Sequence, residues 1–350
     1  MDPILLKILV AAVVAFVISA VIGKFLVPAL RRWKAGQSIK EDGPTWHMSK
    51  QGTPTMGGLM FILATIIVVL VVNGPAILSG DWTSVIVLVF ALVFGAIGFL
   101  DDYAKIKKKE NTGLTAGQKF LLQLAAAILF IVLLRKCGIL SPNLYVPFFG
   151  VELHLPWVVY LIFAVLVITG TVNAVNITDG LDGLATGVSV PIVAVLGVLA
   201  YLSGHIVYAD YLNIMYIPGS GEMVVFAAAL VGALVGFLWY NSFPAQIFMG
   251  DTGSLAIGGV IAVFALCIRK ELLLPLLCGV FLVESFSVMM QVGWFKYTKR
   301  RYGEGRRILL MSPVHHHYQK KGIFETKIVL RFWIISLLLA AITLVTLKIR

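Results

Sequence analysis

The chain has 350 residues, of which 59% are hydrophobic and only 13% are charged, and its formal net charge at pH 7 is +11. Together with a mean hydropathy of +0.96, this composition excludes an ordinary soluble globular protein. No soluble domain or low-complexity tract interrupts the sequence. We therefore expect residues 1–350 to form a single integral membrane domain.

Apolar segments predict an all-α, polytopic membrane protein with about ten transmembrane helices, because one span needs roughly 20 mostly apolar residues. The segment at 57–73 is short, and the segment at 272–297 is long enough that we expect a tilt or a kink near Pro275. The first run is too long for a cleavable signal peptide and is expected to remain as a helix. The ten predicted spans are 4–30, 57–73, 83–100, 119–135, 156–175, 184–203, 223–240, 254–269, 272–297 and 326–348.

Basic residues predict the orientation of these spans. If the loops alternate between two sides, nineteen Lys and Arg residues fall in or beside the loops of one side, and six fall on the other. The positive-inside rule then places the basic side in the cytoplasm and both termini outside. This inner face would also attract anionic headgroups and substrates, although the topology signal alone explains the charge.

The first inner loop, at about 31–56, ends in a segment that is rich in Gly and Pro, Lys50-Gln-Gly-Thr-Pro-Thr-Met-Gly-Gly58. This density of Gly and Pro prevents a continuous helix and exposes backbone amides. Lys50 and Thr55 are candidates for contacting an anion there. The alternative is a glycine-rich turn that only leads into the second span.

The third predicted span ends at Asp101 and Asp102, where the helix dipole disfavours negative charge. The compensating partner is Lys105 or a divalent cation, or else the pair has a basic catalytic role. Lys119, at the start of the fourth span, is either a headgroup anchor or a phosphate contact. The lysine run at 107–109 between them is expected to be a solvated loop.

On the outer side, alternation around Phe149-Gly150 predicts a short β-hairpin on the membrane surface, with His154 as an exposed strand residue. The three cysteines, Cys137, Cys267 and Cys278, lie in or at the ends of apolar segments. They lack the spacing of metal ligands, so we interpret them as packing residues.

The most polar interruption is 173–183, which reads Asn-Ala-Val-Asn-Ile-Thr-Asp-Gly-Leu-Asp-Gly between two apolar segments. Polar groups at the edge of hydrocarbon are costly, and ionisable ones there indicate a functional site. The Asp179-Gly180 and Asp182-Gly183 pairs favour the end of a helix, and a helix end with carboxylates suits a phosphate held with a metal ion. A polar turn between two helices is the alternative.

A second carboxylate–glycine turn follows the seventh span, in the segment from Asn241 to Ser254. Phe248 is either a packing residue or a stacking platform for a flat ring. Asp251 is placed either as a metal ligand or as a helix N-cap, and an N-cap needs no metal.

Two features remain near the end of the chain. Glu284 lies within the ninth span, where a polar partner is expected, and its role is structural or functional. Three of the six histidines are consecutive, at 315–317. Because neighbouring side chains point in different directions, a three-His zinc site is not expected. One or two of them are candidates for binding phosphate or carrying protons.

Together these features favour an Mg²⁺–phosphate site at the cytoplasmic face of the membrane. An ion-coupled transporter would also be apolar with broken helices. Transporters place their polar groups near the bilayer midplane, however, whereas here those groups gather at one face.

The motifs 50–58, Asp101-Asp-Tyr-Ala-Lys105, Asn176-Ile-Thr-Asp-Gly-Leu-Asp-Gly183, Phe248-Met-Gly-Asp251 and Pro313-Val-His-His-His317 resemble those of the polyprenyl-phosphate N-acetylhexosamine-1-phosphate transferases. Within that superfamily they look like the phospho-N-acetylmuramoyl-pentapeptide transferases, over essentially the whole chain. The resemblance implies transfer of phospho-MurNAc-pentapeptide from UDP-MurNAc-pentapeptide to undecaprenyl phosphate, with Mg²⁺ as cofactor and UMP and lipid I as products. It also implies a homodimer in the bacterial inner membrane. The closest alternative is a sister enzyme that uses UDP-GlcNAc.

The resemblance also implies roles for individual residues. Asp251 would be the Mg²⁺ ligand, and Asp101 or Asp102 would activate the lipid phosphate or help to hold the metal. His316 would join these three as a catalytic residue. The expected nucleoside end consists of Lys50, Asp179, Gly180, Leu181, Asp182 and Phe248, with Phe248 stacking on uracil. The expected diphosphate and sugar end consists of Lys105, Lys119, Asn241, His315, His316 and His317. Thr55 and Asn176 are also expected to bind substrate.

Overall fold

The computed structural model describes residues 3–33, 50, 52–108, 113–147, 149 and 151–348. Most of the first inner loop therefore lies outside the described residues, as do Lys109 and Gly150. The fold is a bundle of helices with one small sheet. The helices are α1 Pro3–Arg32, α2 Gly58–Val72, α3 Gly74–Leu78, α4 Thr83–Lys108, α5 Ala116–Lys136, α6 Trp157–Thr178, α7 Leu184–Gly204, α8 Ile206–Leu212, α9 Met223–Asn241, α10 Gly250–Cys267, α11 Leu274–Leu277, α12 Gly279–Tyr302, α13 Val314–Lys320 and α14 Glu325–Val345.

Each of the ten predicted spans coincides with a helix, and the all-α polytopic class is confirmed. Within the part of the chain that the structure describes, eight helices are long and apolar enough to cross a membrane. A ninth span results if the bent pair Glu271–Leu277 and Gly279–Tyr302 counts as one. The remaining prediction, 57–73, corresponds to α2, which is apolar but has only 15 residues.

The break in the ninth predicted span is sharp. The axes of the two helical pieces differ by 79°, and Pro275 lies in the first turn of the short piece, α11. Proline cannot donate a backbone hydrogen bond, and it is tolerated at the start of a helix. The prediction of a kink near this residue is confirmed. The long piece, α12, carries its basic residues in the last turn, where they suit the helix dipole.

The centre of the bundle is α10, which packs against α4, α6, α2 and α7. Of its 18 residues, 89% are buried inside the protein. Small residues allow this close packing. A Cβ atom added to Gly98 of α4 would lie 2.1 Å from the Asp251 carbonyl oxygen, and one added to Gly58 of α2 would lie 2.4 Å from the Gly253 Cα atom. The glycines thus bring three helices together at the N-terminus of α10.

The predicted outer hairpin is present as strands β1 Asn143–Val146 and β2 Val151–His154. The strands pair antiparallel, with Asn143 opposite His154. His154 is exposed, as expected, and its Nδ1 atom lies 2.9 Å from Asn143 Oδ1. Cys267 and Cys278 are buried, which agrees with a packing role. For Cys137 that interpretation is wrong, because the residue is exposed at the C-terminus of α5.

Candidate active site

Three carboxylates from two helices meet at one end of the bundle. Asp101 and Asp102 of α4 and Asp251 of α10 each place an oxygen atom so that all three lie within 4.8 Å of one another. Asp101 and Asp102 are buried, and Asp251 is half-buried. The prediction that the helix ends at Asp101 and Asp102 is wrong, because α4 continues to Lys108. Both aspartates therefore lie inside the helix, where one turn later a lysine can reach them.

Two lysines compensate this negative charge. Lys105 Nζ lies 2.6 Å from Asp101 Oδ2 and 2.8 Å from Asp251 Oδ2. Lys119 Nζ, from α5, lies 2.8 Å from the same Asp251 oxygen. Asn176 of α6 donates to Asp251 Oδ1 at 2.6 Å and to Ser254 Oγ at 2.9 Å. Side chains from α4, α5 and α6 thus converge on Asp251, and the compensating partner predicted for Asp101, Lys105, is present.

The Asp102 side chain also caps the N-terminus of α10. Its Oδ1 atom accepts a hydrogen bond from the Asp251 N–H at 3.2 Å. Its Oδ2 atom accepts bonds from the Thr252 N–H at 2.9 Å and the Thr252 hydroxyl at 2.7 Å. A carboxylate at a helix N-terminus is electrostatically favourable. The alternative that Asp251 is itself the N-cap is wrong, because α10 begins at Gly250 and Met249 occupies that position.

The approach of Asp102 to α10 depends on a glycine. Gly250 has a φ of +71°, and an added Cβ atom would lie 2.5 Å from Asp102 Oδ2 and 2.6 Å from Thr55 Oγ1. Any other residue would be strained by this backbone conformation and would also push the carboxylate away. Thr55 therefore lies beside the carboxylate cluster.

The donor set fits a hard divalent cation. Carboxylate oxygens are the protein ligands that Mg²⁺ prefers, and such an ion usually takes one or two carboxylates together with water and substrate phosphate. Both Asp102 oxygens are already bonded to α10. The Oδ2 atoms of Asp251 and Asp101 are therefore the better ligand atoms, since their close partners are the ammonium groups of Lys105 and Lys119 and not backbone N–H groups.

The polar stretch at 173–183 forms a turn beside this cluster. The helix α6 ends at Thr178, with Asp179 as its C-cap, and Gly183 precedes α7 with a φ of +75°. Burial, together with the negative charges of Asp251 and Asp102, raises the pKa of Asp179 to about 8. This carboxyl group therefore holds its proton near neutral pH.

Asp182 belongs to a separate buried ion cluster. Lys50 Nζ lies 2.6 Å from Asp182 Oδ1 and 2.6 Å from Glu325 Oε1. The same Glu325 oxygen accepts the Asp182 N–H at 2.8 Å, and Asp182 Oδ2 accepts the Ala245 N–H at 2.9 Å. Glu325 was not predicted as a site residue. Its only signal is an acidic residue in the first turn of a helix that follows a loop predicted to be on the inner side.

The segments around Thr55 and Phe248 are joined through their backbones. The Phe248 N–H donates to the Pro54 carbonyl, and the Phe248 carbonyl accepts the Gly57 N–H, both at 2.8 Å. The Phe248 ring is half-buried, and Gly180 is half-buried while Leu181 is buried. The half-buried ring is compatible with both of the predicted roles of Phe248.

The hydrogen bonds of the Asn241 side chain go to residues outside the three-carboxylate cluster. Its Oδ1 atom accepts the Thr186 hydroxyl at 2.9 Å, and its amide group donates to the Ile247 carbonyl at 3.0 Å. The residue is buried. These bonds connect α9, α7 and the loop before α10, so Asn241 positions that loop.

The three consecutive histidines, on α13, have three different partners. His315 Nδ1 lies 3.0 Å from Glu284 Oε2, and both side chains are fully buried. His316 Nδ1 lies 2.8 Å from Gln319 Oε1. His317 Nδ1 accepts the Leu310 N–H at 3.1 Å, and desolvation and the nearby Lys321 lower its pKa. The polar partner expected for Glu284 is thus His315.

Comparison with known proteins places this geometry in a family. The model of glycosyl transferase family 4 matches residues 84–269. The phospho-N-acetylmuramoyl-pentapeptide-transferase signature 1 matches residues 50–62. Proteins named phospho-N-acetylmuramoyl-pentapeptide-transferase are 44% identical in Flavobacterium psychrophilum and 45% identical in Flavobacterium johnsoniae, each over 97% of this chain and 93% of the relative. The one from Desulfotalea psychrophila is 46% identical over 97% and 92%.

Proposed function

Because the chain belongs to the phospho-N-acetylmuramoyl-pentapeptide transferases of glycosyl transferase family 4, we propose that it catalyses their membrane reaction. It transfers phospho-N-acetylmuramoyl-pentapeptide from its UDP carrier to undecaprenyl phosphate, and it releases UMP and lipid I in the first membrane step of peptidoglycan synthesis. The observation that carries this proposal is the meeting of three carboxylates and two lysines at one end of a multi-pass membrane bundle.

The cofactor of the proposed reaction is Mg²⁺, with Asp251 as the main ligand and Asp101 or Asp102 in support. When bound, the ion neutralises phosphate charge and polarises the phosphorus–oxygen bonds. The support for this assignment is the cluster of carboxylate oxygens within 4.8 Å of one another.

The lysines bring the two anionic substrates together. Two phosphate-bearing molecules repel each other, and their approach must be offset before an oxygen atom can attack phosphorus. Lys105 and Lys119 both contact the Oδ2 atom of Asp251, and their flexible side chains can turn to the diphosphate. The attacking oxygen of the lipid phosphate is already anionic near neutral pH. We therefore favour direct displacement over an aspartyl-phosphate intermediate, with Asp101 or Asp102 orienting the lipid phosphate.

The nucleoside end of the proposed site is the 179–182 turn with Lys50 and Phe248. The Phe248 ring is flat and half-buried, which suits stacking on uracil, and base–aromatic stacking contributes about 1–3 kcal/mol. Lys50 and Asp182 are held in fixed positions by their ion pair and by Glu325. Polar groups in fixed positions can distinguish the hydrogen-bonding edge of uracil from that of another base.

The diphosphate and sugar end of the proposed site includes Asn176, Thr55 and the histidines of α13, with His316 in a catalytic role. Asn176 contacts Asp251 directly, and Thr55 lies against Gly250. Asn241 is proposed to act indirectly, by holding the loop that carries Phe248.

The proposed arrangement in the cell follows from the substrates and the basic loops. One substrate is a water-soluble polyanion and the other is a lipid, so the site belongs at the cytoplasmic surface of the inner membrane, with both termini outside. We propose that residues 1–350 form one membrane domain and that the protein is a homodimer, as the family resemblance implies.

UMP release by the purified protein tests the proposal. We expect UMP from UDP-MurNAc-pentapeptide only when undecaprenyl phosphate and Mg²⁺ are both present. Omission of the lipid, or chelation of the metal, is the matched control in each case. No UMP with all components present would refute the proposed function. Faster release from UDP-GlcNAc would instead favour the sister transferase.

A further inference from the structure

A fully buried Glu–His pair links α12 to α13. Glu284 Oε2 lies 3.0 Å from His315 Nδ1, and Glu284 Oε1 accepts the His315 backbone N–H at 3.2 Å. Neither side chain has any exposed surface. Both carboxylate oxygens thus bond to His315. Burial of a carboxyl group costs free energy, so this arrangement indicates that the orientation of His315 matters.

The pair fixes where the proton lies on the imidazole ring. An ionised carboxylate only accepts hydrogen bonds, so His315 Nδ1 must be the nitrogen that donates. In the neutral ring, the remaining nitrogen, Nε2, is then the acceptor. A carboxylate on one imidazole nitrogen sets the tautomer and orientation in this way in many sites.

Nε2 has no hydrogen-bond partner among the described residues and is buried. It faces the 179–183 turn, since a Cβ atom added to Gly180 would lie 2.3 Å from it. A buried nitrogen without a partner destabilises the fold, and native proteins keep few such groups. Its place at the turn, which the proposed function assigns to the donor substrate, explains why it is retained.

We infer that Glu284 is a positioning residue of the transfer reaction, acting through His315. It orients the imidazole so that Nε2 faces the 179–183 turn. There Nε2 accepts a hydrogen bond from a hydroxyl or N–H group of the UDP-linked donor once binding of the donor separates Gly180 from the ring. This inference rests on the proposed function and extends it to a residue deep in α12. A glycine at 180 is required because any side chain there would displace the ring.

A double-mutant cycle tests the inference. Glu284→Gln keeps the shape of the side chain but lets the amide donate to Nδ1, which moves the ring proton to Nε2 and removes the acceptor. We expect the kcat of UMP release to fall at least tenfold. His315→Asn keeps a donor for Glu284 but lacks Nε2, and it should lower kcat similarly. If Glu284 acts through His315, adding Glu284→Gln to His315→Asn causes little further loss.

Multiplied losses in the double variant would overturn the inference, because they would show that Glu284 acts independently of His315. So would wild-type kcat in Glu284→Gln. The matched control is Ser287→Ala, which removes another buried polar group of α12 that donates only to the Glu284 carbonyl at 2.6 Å. That variant should keep wild-type turnover.

A spectroscopic readout separates this inference from the proposed function. In protein labelled with ¹⁵N-histidine and held near pH 8, the signal that disappears in His315→Asn belongs to His315. We expect the neutral form with the proton on Nδ1 in the wild type, and the proton on Nε2 in Glu284→Gln. A wild-type ring protonated on Nε2 alone would refute the inference whatever the enzyme's activity. An inactive wild type with the expected signal would refute only the proposed function.

Discussion

Replacing Asp251 by asparagine removes one negative charge from the carboxylate cluster while keeping the shape of the side chain. In the wild type, Asp251 Oδ2 accepts hydrogen bonds from Lys105 and Lys119, and Oδ1 accepts one from Asn176. The asparagine has one oxygen and one NH₂ group. If the oxygen stays on Asn176, the NH₂ group faces two ammonium groups, and the opposite orientation loses the bond from Asn176.

The cost in stability follows from what the two lysines retain. Lys105 keeps Asp101 at 2.6 Å. For Lys119 the next carboxylate contact among the described residues is Asp101 at 4.0 Å, too long for a hydrogen bond. The variant thus loses about one charge-assisted hydrogen bond, or about 1.5–3 kcal/mol. Because Asp102 caps α10 independently, the helix still forms. We expect a folded protein whose unfolding midpoint falls by a few degrees.

The effect on catalysis is expected to be much larger. Removal of one preorganised charge from an active site typically costs about 10²–10³ in kcat. UMP release by Asp251→Asn should therefore fall at least about 100-fold. In a metal titration, the Mg²⁺ concentration that gives half-maximal activity should rise. Asp210→Asn, which removes an exposed charge on α8, is the control. An Asp251→Asn protein with near wild-type turnover would refute the assignment of Asp251 as the metal ligand.

Three further outcomes are expected. Phe248→Ala should raise the KM for the UDP donor about tenfold and leave that for the lipid unchanged, as steady-state kinetics with each substrate varied will determine; an effect on the lipid alone would contradict stacking. Glu325→Gln weakens the hold on Lys50 and should also raise the donor KM about tenfold with little change in kcat; unchanged kinetics would make that ion cluster irrelevant to binding. Because Asp179 holds its proton up to about pH 8 in the folded protein and only to about pH 4 when unfolded, its ionisation favours unfolding as the pH rises. The wild type should lose thermal stability between pH 6 and 8 relative to Asp179→Asn, and parallel pH profiles would disprove this.

Much of the architecture is predictable because a membrane span needs a minimum length of apolar sequence. That criterion found every span, and proline chemistry located the break near Pro275. It failed at helix ends, since a helix continues as long as its backbone hydrogen bonds do, whether or not its residues are apolar. Asp101 and Asp102 end the apolar part of α4, but the helix runs on to Lys108. Residues 250–253 are polar and small, and they already belong to α10.

The site was less predictable than the fold because its contacts join distant parts of the chain. The aspartates are predictable from their positions at the ends of apolar segments, where charges are costly. Nothing in the sequence around Glu325 indicates that it shares Lys50 with Asp182 across 275 residues. The choice of His315 as the partner of Glu284 is likewise set by the bend before α12 and the path of the following loop, which the sequence pattern does not determine.

The most direct test of the proposed function is identification of the lipid product. Purified protein is incubated with undecaprenyl phosphate, Mg²⁺ and an equimolar mixture of UDP-MurNAc-pentapeptide and UDP-GlcNAc. The lipids are then extracted, and their masses are measured by mass spectrometry. We predict a single new species with the mass of undecaprenyl diphosphate joined to MurNAc-pentapeptide, in equal amount to the UMP formed. A lipid carrying GlcNAc, or UMP without any new lipid, would contradict it.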